Sequence, residues 1–164
     1  MTFSLSARSR SNMAGLHPDL VRIVEGAIVS TTVDFGVAAP AVRTAAQQHA
    51  LFLQGVTQKD GYSRKSNHQT HDDGYGYAVD LTPYVSGKFV VTDDAWALYP
   101  HIASAMSKSA KALGSASRLR WGCNWSEPMS QYGSDYDDMK AAMQRYRDTH
   151  PGPDFLDGPH FELR

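Results

Sequence analysis

The sequence predicts an α+β fold: one domain over residues 1–164, with a central antiparallel sheet flanked by helices. Three observations lead there. Helical periodicity recurs in separated stretches, at Leu20–Ile23–Val24–Ala27–Ile28, again between residues 93 and 113, and again from Tyr136 to Tyr146. Short apolar runs bounded by turn residues lie between them, without the regular strand–helix alternation of a parallel sheet. The chain also has 164 residues, 41% hydrophobic and 20% charged, enough to enclose a core of its own.

Taken in order, Pro18 suits the first turn of the opening helix. Residues 33–42 are rich in Val and Ala but broken by Gly36 and Pro40, which predicts a loop leading into a short strand. A second helix runs from 44 to 54 and stops at Gly55. Residues 57–76 form a long polar loop rich in Gly, Asp, Ser and His, and loops of that length are commonly functional. It feeds a buried strand at 77–81, ended by Pro83, and 88–91 supplies a hairpin strand across Ser86-Gly87. In 93–113, Trp96, Tyr99, Ala103, Met106, Ala110 and Leu113 step by three and four, and Pro100 should bend or split the helix. A strand at 118–121, a turn-rich stretch to Gly133, the helix through Tyr136, Met139, Met143 and Tyr146, and a strand at 159–163 complete the chain. Trp96 and Trp121 are expected in the core, while Trp125 is open to either core or cleft. The segment 127–153 reads as a helical insert.

Sixteen basic and seventeen acidic residues leave a formal charge of -1, so no positive field argues for nucleic acid. The single cysteine, Cys123, excludes an internal disulfide framework and any CxxC metal motif. No stretch reaches the roughly 18 apolar residues of a membrane span. The start MTFSLSARSRSNMAG has no apolar signal region, which predicts a cytoplasmic product without stable membrane insertion. Any bound metal must then be held by histidines and carboxylates.

Of seven histidines, His68, His71 and His160 stand near carboxylates in loop or strand-edge settings. Imidazole nitrogen and carboxylate oxygen suit zinc, and a catalytic site keeps three protein ligands and an open position. His68, Asp80 and His160 with a free carboxylate at Asp157 would make such a set. On spacing alone a solvated loop explains the same residues. Asp80 is the exception, because it interrupts an apolar run, and a buried carboxylate needs a metal or a cation such as Arg43 or Arg120.

The ordered motifs Ser66-x-His68, Gly76-x-Ala78-x-Asp80 and Asp157-x-x-His160 resemble the zinc signature of the M15 peptidase family. That family comprises the D-alanyl-D-alanine carboxypeptidases and the phage L-alanyl-D-glutamate endopeptidases. Further similarities are Val42-Arg43-Thr44, the stretch Ala78 to Tyr84 with Ser86-Gly87-Lys88, Leu119-Arg120-Trp121-Gly122 with Trp125, and the ending His160-Phe161-Glu162-Leu163. They span nearly the whole chain and look most like the endolysin branch.

The resemblance implies a hedgehog/D,D-peptidase-like zinc peptidase fold, with Zn2+ held by His68, Asp80 and His160. Asp157 would be the general base. Arg43 would bind a substrate carboxylate or steady the oxyanion, with Ser66 and Trp125 lining the substrate cleft. An apparent insertion between Gln69 and Tyr75 makes His71 a rival to His68, and Ser66 two residues earlier favours His68. Asn124 stands where the family pattern has Asp. The implied activity is hydrolysis of peptidoglycan stem peptides by a monomer that is made in the host cytoplasm, reaches the wall through a holin and lyses the host. The alternatives are a D,D-carboxypeptidase of the same family and a non-catalytic zinc- or wall-binding module.

Overall fold

The computed structural model describes residues 2–153 and 155–164. Five α-helices and six short strands follow one another as α1 (Ala7–Asn12), α2 (Pro18–Ser30), β1 (Phe35–Gly36), α3 (Ala45–Leu53), β2 (Ala78–Asp80), β3 (Thr82–Val85), β4 (Lys88–Phe89), α4 (Tyr99–Ala112), β5 (Leu119–Trp121), α5 (Tyr136–Thr149) and β6 (His160–Leu163). The strands form two antiparallel sheets, ordered β1-β3-β4 and β2-β6-β5. The α+β expectation holds, with the sheet divided in two.

Each helix has a local cause. In α2 the His17 Nδ1 accepts from the Asp19 amide, and Leu20, Ile23, Val24, Ala27 and Ile28 are buried as one stripe. Fully burying one such aliphatic side chain contributes about 1.5–3 kcal/mol. α3 has almost no buried face and relies on its ends: Thr44 and Gln47 form a reciprocal capping box, and Gln48 alone is buried. α4 packs between α2 and α5, and Met139 and Ala142 of α5 reach the core. The segment 127–153 thus carries α5 and the 3-10 turn Met129–Gln131, whose Met129 is also buried.

The structure departs from expectation at several points. α1, a short polar helix capped by Ser6, precedes the first helix the periodicity marks; its buried residue is Ser9, so it carries no apolar signal. Pro83 does not end a strand but sits second in β3, where its carbonyl accepts from Val90 N at 2.9 Å. The hairpin across Ser86-Gly87 therefore joins β3 to β4, and both turn residues have positive φ (50° and 82°) as a two-residue hairpin requires. Pro100 divides 93–113 into the 3-10 helix Asp93–Ala97 and α4, where it occupies the first turn. That break rotates Trp96 out of register; it is 41% exposed and not part of the core, whereas Trp121 is fully buried.

The β2-β6-β5 sheet positions the chemistry. Its registers pair Asp80 with His160, Ala78 with Glu162, and Arg120 with Glu162. Side chains alternate along a strand. Val79, Phe161, Leu163, Leu119 and Trp121 therefore enter the core together. Ala78, Asp80, His160, Glu162 and Arg120 share the opposite face.

Candidate metal centre

Asp80 and His160 meet because they are register partners on β2 and β6. His68 reaches them from the polar loop. That loop is anchored where Arg43 N donates to His68 O (2.7 Å) and Tyr77 N donates to Asn67 O (2.8 Å). Ser66 accepts from the His68 amide at 3.3 Å, so its hydroxyl shapes the turn that presents His68.

The three donor atoms form a nearly equilateral triangle. His68 Nε2 lies 3.2 Å from His160 Nδ1, and Asp80 Oδ1 lies 3.3 Å from each nitrogen. His68 and His160 are 3% and 7% exposed, while the Asp80 side chain keeps 35%.

The far ring nitrogens set the tautomers. His68 Nδ1 must donate to the Ala41 carbonyl at 2.9 Å, which leaves Nε2 as a lone pair in the neutral ring. His160 Nε2 donates to Glu162 Oε2 at 3.2 Å, which leaves Nδ1 likewise. Two lone pairs and a carboxylate oxygen then face one point, an arrangement that calls for a cation. A tetrahedral ion about 2.0–2.1 Å from each donor has donor–donor edges of about 3.3 Å, so the residues fit a divalent metal. His68, Asp80 and His160 can hold a metal ion together.

Electrostatics agree. Burial raises the Asp80 carboxyl, but His68 and His160 outweigh it and hold Asp80 well below the usual carboxylate range. Burial lowers His160, and the hydrogen bonds to Asp80 and Glu162 outweigh that, lifting it to about 9 without metal. The site thus attracts positive charge, proton or metal.

Around the triangle, Arg43 Nη2 donates to Asp80 Oδ2 at 2.8 Å and its Nη1 to Gln48 Oε1 at 3.4 Å. The cation partner open for Asp80 is therefore Arg43; Arg120 donates elsewhere, to the Trp125 carbonyl at 3.2 Å. The Trp125 ring lies 5.0 Å from His160 and stacks on Phe155 at 5.9 Å, and its Nε1 donates to the Phe155 carbonyl. Trp125 is thus a wall beside the donors.

Asp157 is held by its backbone. Its amide donates to Gly122 O (3.0 Å), and its carbonyl accepts from His160 N (3.1 Å). Gly122 is required there, since a Cβ would sit 2.3 Å from Asp157 O and 3.0 Å from the Cβ atoms of Asp157 and His160. No side-chain hydrogen bond or ion pair engages the Asp157 carboxyl among the described residues. Burial raises its pKa above the ordinary value, His160 opposes this, and Asp80 reinforces it.

His71 stands apart from the donors, with its ring 4.6 Å from Tyr77 beside Lys59, Asn67 and Arg164. Asp72 and Asp73 are exposed, and Asp73 accepts from Tyr77 Oη at 2.7 Å. Cys123 is fully buried, and burial pushes its thiol pKa up, next to Asp157.

Sequence reasoning gave no role to Glu162, Asn67 or Gln48. Glu162 is 5% exposed and accepts from His160, from Asn67 Nδ2 (2.8 Å) and from Arg164 Nε (2.6 Å). The signal was present in the alternation His160-Phe161-Glu162-Leu163, which puts both polar residues on one face. Gln48, wholly buried on α3, gave none.

The whole chain also shares its architecture with a solved protein. The crystal structure of the Serratia marcescens L-Ala D-Glu endopeptidase ChiX superposes with a TM-score of 0.65 at 27% identity, covering 100% of this chain and 90% of that one. No curated protein matches the chain. Residues 1–164 match the family described as phage L-alanyl-D-glutamate peptidase, and the chain belongs to that family.

Proposed function

We propose that the protein is a zinc endopeptidase that cuts the L-alanyl–D-glutamate bond of peptidoglycan stem peptides and so lyses the phage host. The observation that carries this reading is the donor triangle with a free, half-buried carboxylate on the turn leading into His160. His68 Nε2, Asp80 and His160 Nδ1 would hold the metal, and two nitrogens with one oxygen suit zinc. Bound there, zinc supplies Lewis acidity toward the scissile carbonyl and lowers the pKa of a water molecule.

The chain's own residues do the rest. Among the described residues no side chain pairs with the Asp157 carboxylate, so it is available to take a proton from the attacking water and return it to the departing amine. Arg43, steadied by Gln48, places positive charge at the β2 flank, where the carbonyl oxygen gains negative charge or a substrate carboxylate binds. Ser66 holds the turn at the cleft edge, and Trp125 bounds the other side and excludes water. In the neutral rings Ala41 O and Glu162 take the far N–H of His68 and His160, so the nitrogens that would face the metal are the ones free to bind it.

Among the described residues no helix is long and apolar enough to cross a membrane. The lysin reading implies synthesis in the host cytoplasm, holin-dependent passage to the wall and action as a monomer, with residues 1–164 as one peptidase domain.

The test is mass spectrometry of purified peptidoglycan digested by metal-stripped and zinc-restored protein. The reading expects peptides with new D-glutamate amino termini, formed only after zinc is restored. Release of D-alanine alone would move the protein to carboxypeptidase chemistry, and no release would leave a binding module.

A further inference from the structure

We infer that Arg120 is the residue that reads the free carboxylate of the substrate's D-glutamate. The inference rests on the endopeptidase reading above and deepens it. In an L-alanyl–D-glutamate peptide the glutamate amine lies in the scissile bond. Glutamate has two carboxyl groups, and the chain can continue through only one of them. The other remains a carboxylate next to the cleavage point unless it is amidated.

The sheet order decides which flank receives it. β6 lies in the middle with His160, β2 on one side with Asp80 and its partner Arg43, and β5 on the other with Arg120. The departing amine belongs to D-glutamate and must meet Asp157. Asp157 lies against Gly122, just past the end of β5. D-glutamate is therefore on the β5 flank. Arg120 is two residues before Gly122 and shares the catalytic face, about 7 Å along the strand, within reach of an arginine side chain.

Arg120 is also built for an anion it lacks. Its Nη1 donates to the Trp125 carbonyl, tying it to the wall over His160. Its Nε is buried without a hydrogen-bond partner, and no carboxylate lies within ion-pair distance among the described residues. Its cross-strand neighbour Glu162 is already engaged by His160, Asn67 and Arg164 and makes no ion pair with it, so the half-buried guanidinium keeps capacity for a further carboxylate, its natural complement. Arg43 cannot serve both flanks, because Asp80 and Gln48 hold it at the other edge.

The experiment compares two synthetic stem peptides that differ only in the free carboxyl of D-glutamate, carboxylate in one and carboxamide in the other. Zinc-loaded wild type, R120M and R120K are assayed for kcat and KM, with zinc stoichiometry and thermal melting as controls. Binding of the D-glutamate-terminated product is read by calorimetry. The expected wild-type preference for the carboxylate is about 10- to 100-fold in kcat/KM, set chiefly by KM. R120M should bring that ratio close to one and weaken product binding, and R120K should restore part of it. A wild type that cuts both peptides equally, or an R120M enzyme that keeps the full preference, overturns the assignment while the endopeptidase reading stands. Cleavage of neither peptide by folded, zinc-loaded wild type would instead defeat the endopeptidase reading itself.

Discussion

Glu162 offers the sharpest perturbation, because it is not one of the three donors and yet bears on the metal through His160. Its Oε2 accepts from His160 Nε2 and Asn67 Nδ2, and its Oε1 from Arg164 Nε. Three donors converge on one carboxylate at distances of 2.6–3.2 Å. Glu162→Gln can keep its oxygen toward His160 and Asn67, with its amide turned to the largely exposed Arg164. Ring orientation then survives, and what is lost is the negative charge that makes Nδ1 a better donor. Glu162→Ala loses both. Removing an outer partner of a metal-bound histidine typically weakens metal binding 10- to 100-fold. We expect about tenfold for Gln and about 100-fold for Ala, roughly 1.4 and 2.7 kcal/mol. Competition against a chelator of known zinc affinity measures this, with circular dichroism to establish that each variant folds. Zinc affinities within twofold of wild type in both folded variants would refute the claim that Glu162 orients His160.

Four other outcomes follow from the same geometry. Asp157→Ala should abolish turnover while zinc binding persists, as equilibrium dialysis and peptide assay together would reveal; normal turnover would remove Asp157 as the base. Because burial raises the Asp157 pKa, its proton is retained to higher pH than in an ordinary carboxylic acid. The kcat/KM profile of the zinc enzyme should then fall on the acid side as Asp157 becomes protonated, and a profile that stays flat through the acid range would count against Asp157 as the base. His68→Ala should abolish zinc binding and His71→Ala should spare it, and the reverse pattern would move the ligand into the 69–75 insertion. Gly122→Ala forces a methyl group against the Asp157 carbonyl, so activity should drop at least tenfold in a protein that still folds; full activity would show that the turn has slack.

Much of this site was legible in the sequence, and the reasons are local. Asp80 stood out as a carboxylate inside an apolar run, and the ending at 159–163 read as a short strand that carries His160. The helix at 44–54 was visible because Gly55 marks its stop, and the Thr44–Gln47 capping box that starts it is equally local. What stayed hidden depends on packing. α1 has no apolar stripe to read. The position of Trp96 depends on where Pro100 breaks the helix, and local periodicity runs straight through that break. The division into two sheets depends on the chain leaving β2 at Leu81 and pairing anew from Thr82, a choice made by distant β1 and β6. Glu162 and Gln48 act through neighbours 95 and 5 residues away, Asn67 and Arg43, and only the folded chain brings those groups together.

The central claim is that His68, Asp80 and His160 form one zinc site with Asp157 free beside it. Crystals of the zinc-loaded protein, with an anomalous difference map collected at the zinc edge, test it most directly. The account predicts a single strong peak about 2.0–2.1 Å from His68 Nε2, His160 Nδ1 and an Asp80 oxygen, with the Asp157 carboxylate not coordinated. A peak at His71 or Cys123, or Asp157 bound as a ligand in place of Asp80, would contradict it.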